Sequence, residues 1–457
     1  MRGSELRTKS AMASRPAILG WLLFDWACQP FFTLVTTFVF APYFAASLAP
    51  DPVTGQSLWG YATAAAGFAL AILSPVLGSV ADATGPKKPW IAACGLVLFV
   101  ASFALWYAAP GVPHAIAISL FGFAVATIAV EVAAVFNNAM IPHLVPPERF
   151  GRLSGTGWAI GYLGGLVSLV IVLGFLAADP GSGKTFFGFT PLFGLDPAQH
   201  EGDRITGPLS AVWFLVFVMP LFLFTPDLAR SKLKLGEAVW QGLVQVKRTL
   251  IDARRHEGVL RFLIANMVYQ DALVALFAFG GIYGAGVFGW QATELGLFGI
   301  MLTITGTIGA LIGGRLDDRF GAKPVIMGAI LTLALVCVGV LSLGREHILF
   351  VIPSAPAGEG LYASAPEKLF VLLGLVIGSV AGPLQASSRS LLARLVPPRE
   401  AGRYFGLLAL SGKVTSFLAP LAVAVATMIF QTQAAGPAVL ILFLLAGFAL
   451  LSGVKKA

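Results

Sequence analysis

One segment occurs twice in this chain: LVPPERFGRLSG at 144–155 and LVPPREAGRYFG at 395–406, an offset of 251. A second pair, GSVADATGPKK at 78–88 and GRLDDRFGAKP at 314–324, recurs at an offset of 236 and matches Gly78, Asp82, Gly85 and Lys87 with Gly314, Asp318, Gly321 and Lys323. Two motifs duplicated in the same order predict a duplicated half, far larger than a solenoid module. The 15 residues by which the offsets differ fall between the motifs of the second copy, where 345–368 replaces a short turn near 110–114.

Composition sets the medium in which those halves fold. Hydrophobic residues make up 57% of the chain and charged ones 11%, with a mean hydropathy of +0.85; soluble domains hold roughly 45–50% apolar residues. Hydrocarbon offers no partner to unpaired backbone groups, so a span needs about 20 mostly apolar helical residues. Twelve such stretches are present, near 17–44, 57–81, 89–109, 115–141, 154–178 and 207–226, then 259–285, 291–316, 324–343, 368–394, 403–430 and 437–454. The sequence therefore predicts an all-α membrane protein of twelve transmembrane helices in two parallel six-helix repeats. The halves are 1–226 and 259–457. The linker between them, 227–258, repeats Val239, Leu243, Val246 and Leu250 at helical spacing, with Lys247, Arg248, Arg254 and Arg255 beside them. That pattern suits an amphipathic helix on the inner leaflet.

Assigning the termini and alternate loops to one side puts 24 of the 30 lysines and arginines there. The other side receives Lys184, Arg204, Arg345 and Lys368, so both termini are expected in the cytoplasm, as in a bacterial inner membrane. The formal charge of +8 follows from this bias, and its spread over many loops argues against a nucleic-acid partner. Cys28, Cys94 and Cys337 all lie in apolar stretches, which gives no disulfide framework. No cleavable signal peptide precedes the first span. Residues 178–185 read ADPGSGKT, close to a phosphate-binding loop, but the segment leaves a span on the expected external side and Ala178 stands at the first glycine of that pattern. No catalytic constellation, metal set or cofactor motif is present, so an enzyme is not expected.

Twelve spans in two halves, with the glycine-rich motif after the second span of each, resemble the major facilitator superfamily over nearly the whole chain. More narrowly, FDWACQPFF, FNNAMIPHLVP, GRLSGTGWAIGYLGG, QASSRSLLARLVPP and YFGLLALSGKVTSFLAP are similar to the autophagy-related vacuolar effluxer branch. The resemblance implies a major facilitator fold, amino-acid efflux as in fungal members, and a monomer. It also implies that Asp82 and Lys87, with Asp318 and Arg319 in the second copy, form latches on the cytoplasmic side; solvated turn charges are the plainer alternative. In span 5, Gly157, Gly161 and Gly165 are spaced for close helix contact.

Ionisable groups inside a bilayer cost at least about 2.5–3.5 kcal/mol, so each calls for a partner, a cavity or a function. Asp25, Glu131, Asp271, Arg389 and Lys413 lie inside spans 1, 4, 7, 10 and 11. At 1.5 Å per residue, Asp25, Glu131, Asp271 and Lys413 sit about 12, 15, 18 and 16 Å from the cytoplasmic ends of their spans, a common depth near the midplane. Arg389, nearer the inner end, aligns with Asn138 through the 251 offset. Asn137, Gln29, Gln270, Asn266, Phe24, Trp26 and Tyr269 are candidate neighbours for hydrogen bonds and cation–π contacts. Structural salt bridges are the alternative for the charges. Three acids against two bases favour a zwitterionic or cationic solute. No histidine lies in a span, so protons would ride on the carboxylates. A small polar solute, protons and the bilayer are thus the expected partners. An exporter of lipophilic cations and a non-transporting sensor are the rival functions.

Overall fold

The computed structural model describes residues 13–145, 150–179, 181–227, 236–237, 240, 244, 251, 257–354, 360–396, 407–408, 411–412 and 415–454. Lys413 and most of the expected linker lie outside the described residues, as do the side chains of Asp82 and Asp318.

Among the described residues, ten helices are long and apolar enough to cross a bilayer. In chain order the helices are α1 (Arg15–Leu48), α2 (Pro52–Thr84), α3 (Lys88–Tyr107), α4 (Ala115–Asn138), α5 (Phe150–Ile171, prolonged by a wide turn Val172–Leu176) and α6 (Glu201–Phe224). The second half repeats them as α7 (Glu257–Tyr283), α8 (Ala292–Phe320), α9 (Ala322–Leu341), α10 (Ala365–Leu395), α11 (Leu418–Phe430 as described) and α12 (Ala435–Ser452). We call the side where α1 starts and α12 ends the terminal face, and the opposite side the far face.

Packing repeats with the sequence. In the first half α1 packs on α6, α2 on α4, and α3 on both α4 and α6; in the second, α7 packs on α12, α8 on α10, and α9 on both α10 and α12. The halves meet through α2 against α11 and α5 against α8. Far-face hydrogen bonds join them: Gln56 Nε2 donates to Thr427 Oγ1 at 2.8 Å and to the Gln433 carbonyl at 3.2 Å, and Gln433 Nε2 donates to the Pro52 carbonyl at 3.1 Å.

Local chemistry shapes the first helix. Pro30 has no N–H to give the Trp26 carbonyl one turn earlier. The indole Nε1 of Trp213 in α6 donates to that carbonyl instead, at 3.1 Å, and beyond Pro30 the helix is wound in wide π turns from Phe31 to Phe38. Each half also fastens its third span to its sixth with a lysine. Lys88 Nζ donates to the Phe222 carbonyl at 2.9 Å, and Lys323 Nζ to the Ser452 and Val454 carbonyls at 2.8 and 2.5 Å, which satisfies helix-end oxygens that have no acceptor role inside the helix.

The loops hold more regular structure than apolar runs alone show. The duplicated motif at 78–88 and 314–324 is mostly helix: α2 runs to Thr84 and α8 to Phe320, so Asp82 and Asp318 lie in last helical turns, and the turns themselves are Gly85 and Gly321, both at φ 88°. Glycine is required there because a Cβ disfavours that left-handed backbone. The far-face segment after α9 is ordered into a hairpin, β1 (His347–Ile348) antiparallel to β2 (Ile352–Pro353). Within the ADPGSGKT stretch, Ser182 N donates to Asp179 Oδ1 at 2.7 Å and Gly183 N to Asp179 O at 2.8 Å, a tight turn, and residues 186–191 directly after it are not helical.

Candidate functional site

The charges inside the spans fall into separate groups. Asp25 on α1 and Glu131 on α4 are half-buried and both lie within electrostatic reach of the Cys28 thiol, so the acids of the first half share one neighbourhood. The sequence signal for this is the (i, i+3) spacing of Asp25 and Cys28 on one helix face. Opposite them runs the glycine stripe of α5. Gly157 abuts the Asp25 carboxylate, Gly161 lies against Asp25 and Gln29, and Gly165 against Gln29 and Thr33. A side chain at these three positions would occupy the space that Asp25 and Gln29 fill, so the stripe is what lets a carboxylate sit between two closely packed helices.

Asp271 is placed elsewhere. It is 2% exposed, and its Oδ2 accepts a 2.9 Å hydrogen bond from the backbone N–H of Ala419 in the first turn of α11. Its near neighbour on α7, Tyr269, shares a 2.7 Å hydrogen bond with Ser388 Oγ of α10, inside the second half. Arg389, next along α10, comes within electrostatic reach of Tyr162 on α5, which belongs to the other half. Tyr162 and the neighbouring ring of Trp158, tilted against it at 5.8 Å between centroids, are both substantially exposed. Neither aromatic stands out in the sequence, because each reads as one more apolar residue of span 5.

The remaining candidates divide between interior and surface. Phe24 and Trp26 turn into the first half, against Phe214 and Trp213 respectively, and so serve packing. Asn137 is buried and its carbonyl accepts from Trp21 Nε1 at 2.8 Å; Asn138 is exposed. The side-chain Oδ1 atoms of Asn137 and Asn266 are buried without a hydrogen-bond partner among the described residues. Gln270 is half-buried. An apolar pocket lined by Leu276, Phe279, Cys337, Phe370 and Ile377 of the second half and by Thr37, Phe38 and Gln56 of the first contains none of these charges.

On the terminal face, Lys87 is buried and its backbone N–H, with that of Lys88, donates to the Asp227 carboxylate at 2.7 and 3.1 Å. This puts an anion at the start of α3, where the helix dipole favours one. Arg319 is exposed over the ring of Phe320. The acid with a visible partner in the second motif is Asp317, whose Oδ1 accepts from Arg394 Nη2 at 2.7 Å and from Ser390 Oγ at 3.3 Å, tying α8 to α10. Its counterpart through the 236 offset is Ala81, and Arg394 corresponds to His143 through the 251 offset, so the duplication does not flag this pair.

Comparison with known proteins now has a geometry to meet. The model of the family described as "Vacuole effluxer Atg22 like" matches residues 45–457. The chain belongs to that family. The uncharacterized MFS-type transporter YxiO of Bacillus subtilis is 25% identical over 452 residues, covering 95% of this chain and 94% of the relative. Autophagy-related protein 22-1 of Neosartorya fischeri is 24% identical over 289 residues, 60% of this chain and 43% of the fungal protein, so the match spans less than half of that relative. Among solved structures, a variant of the nucleoside transporter NupG superposes with a TM-score of 0.64 at 14% identity over 96% of this chain and 99% of its own. The D-xylose-proton symporter gives 0.64 at 15% identity over 96% and 97%. This Atg22-like chain is accordingly an integral membrane protein with the major facilitator fold and a secondary transporter in type, as YxiO is by its description.

Proposed function

We propose that the chain moves a small polar solute, zwitterionic or cationic and amino-acid-like, by alternating access coupled to protons. It does so as a monomer in a bacterial inner membrane, with both termini cytoplasmic, halves bounded at 1–226 and 259–457, and an interfacial linker at 227–258. One observation carries the reading. The first half holds two acids, Asp25 and Glu131, around Cys28, while the second half brings a guanidinium, Arg389, toward Tyr162 of the first. Opposite charges contributed by opposite halves suit a solute that bears both an ammonium and a carboxylate, because such a solute attracts each half to itself and draws them together. Asp82, Lys87, Asp318 and Arg319, at the terminal face, are proposed to act when that face closes.

The test is uptake of radiolabelled amino acids into proteoliposomes with an imposed pH gradient. Accumulation should be abolished by collapsing the gradient. Asp25→Asn should lose accumulation and keep solute exchange, which needs binding and alternation without net proton movement. If amino acids neither accumulate nor stabilise the purified protein against heat, while lipophilic cations do, the solute assignment is wrong.

A further inference from the structure

The two carboxylate oxygens of Asp271 live in different surroundings. Oδ2 accepts from Ala419 N at 2.9 Å, whereas Oδ1 is buried with no hydrogen-bond partner among the described residues. The side chain as a whole is 2% exposed. α11 is described from Leu418 after a turn at 415–417, so Ala419 supplies one of the first-turn amides that have no acceptor within the helix. The same turn contains a second such oxygen, Thr415 Oγ1, buried and without a hydrogen-bond partner among the described residues. A buried carboxylate oxygen without a donor is costly. None of the described residues supplies it with a hydrogen.

Deepening the proton-coupled reading and resting on it, we propose that Asp271 is the proton-binding group of the second half, taking the proton on Oδ1, and that protonation loosens its hold on the amino end of α11. A metal cation does not suit the place, since hard cations gather about six or more oxygens and here two oxygens face a site into which the Ala419 N–H already points. The step balances simply: a proton from water adds to Oδ1, the carboxylate becomes a carboxylic acid, and Oδ2 stays behind as a neutral carbonyl acceptor. The amino end of α11 then loses the anion that its dipole favours.

Few other charges compete for this proton. Among the elements packed on α7, α12 carries no ionisable side chain and the 31–43 stretch of α1 only Tyr43; α2 carries Tyr61 and Asp82, α10 carries Glu367 and Lys368 near its far-face end and Arg389 and Arg394 toward the other, and Lys413, ahead of α11, lies outside the described residues. On α7 itself the ring of Tyr269 is bound to Ser388. Movement of the α11 start reaches the other half directly, because Phe417 packs edge-on to Phe68 of α2 at 5.4 Å and its backbone abuts Gly67.

Hydrogen exchange read by mass spectrometry on the solute-free protein in lipid nanodiscs tests this, across mildly acidic to mildly alkaline pH with rates corrected for intrinsic exchange. Protection of the amides at 418–421 should fall on the acid side by about tenfold, the size expected from losing a partly buried charge at a helix end. Asp271→Asn, which keeps an acceptor oxygen but cannot ionise, should give a pH-independent profile, and Asp271→Glu should restore the dependence. A flat wild-type profile, or an Asp271→Asn profile identical to the wild type, overturns the assignment. No solute or gradient enters this measurement, so it is independent of the accumulation assay: that assay asks whether transport follows protons, this one whether Asp271 is where α11 senses them.

Discussion

Replacing Arg394 by alanine probes the ion pair that ties α8 to α10, and the structure sets how large the effect should be. Arg394 Nη2 and Asp317 Oδ1 are 2.7 Å apart; the arginine side chain is 46% exposed and the aspartate 8%. In water two unit charges at that separation attract by about 1.5 kcal/mol. Solvent at the arginine and the entropy of holding its long side chain reduce this toward the roughly 0.2–1 kcal/mol of exposed pairs. Burial of the aspartate keeps the coupling near the upper end, about 1 kcal/mol. The single substitutions should be unequal. Arg394→Ala strands a buried carboxylate with Ser390 Oγ at 3.3 Å as its described donor, a loss of about 1–3 kcal/mol. Asp317→Asn leaves an arginine that can turn to water, and should cost less than about 1 kcal/mol. A double-mutant cycle, measured by reversible unfolding in mixed micelles, yields the coupling directly. Equal costs for the two single variants, or a coupling below about 0.3 kcal/mol, would refute this account. Solute exchange should stay at the parental rate, because both partners belong to one half.

Three further outcomes follow from geometry. Gly157→Ala places a methyl on the Asp25 carboxylate, so the acid must swing out of its slot; overpacking should cost about 1–3 kcal/mol, and proton-driven accumulation should drop while expression and membrane insertion persist, read by uptake and by size-exclusion profile. Trp213→Phe leaves the Trp26 carbonyl without the donor that replaces the missing Pro30 N–H, and thermal unfolding should register about 1–3 kcal/mol. At the far face, the hydroxyl and amide of Thr54, at 2.6 and 2.9 Å, hold the Asp51 carboxyl below its usual range. A depressed folded value gives stability that is present above the unfolded pKa, about 3.9, and fades as pH falls through the folded one. The deficit of Asp51→Ala, about 0.5–2 kcal/mol for an N-cap, should therefore shrink in strong acid, as measured by unfolding at neutral and acid pH.

The architecture was legible because the bilayer leaves so few choices. Apolar runs of the right length placed most helices to within about six residues, and the duplicated motifs their grouping; the span expected at 403–430 is described as a helix only from Leu418, after a turn at 415–417, and α2, α8 and α10 extend past their apolar cores into polar turns that hydropathy assigns to loops. The glycine stripe of α5 also carried its meaning in the sequence, since only close contact explains glycine at that spacing. The charges were legible as individuals and not as a set. Depth along a helix can be counted from residue numbers, but azimuth cannot. Asp25 and Asp271, at similar depths, consequently face different surroundings, one a glycine stripe and the other the start of a helix. Asp227 and Asp317 escaped notice for another reason: their partners are a pair of backbone amides and an arginine that breaks the repeat.

The far-face join between α2 and the α11–α12 corner is made of glutamine amides, a threonine hydroxyl and backbone carbonyls. None of these atoms titrates in the physiological range or carries a formal charge, so neither acidity nor salt in the compartment beyond that face changes the strength of those bonds. Opening them moves no charge through the membrane field, and a resting potential therefore does no work on this step. The signal that opens this join therefore comes from groups other than those that form it, which makes the join itself a passive latch.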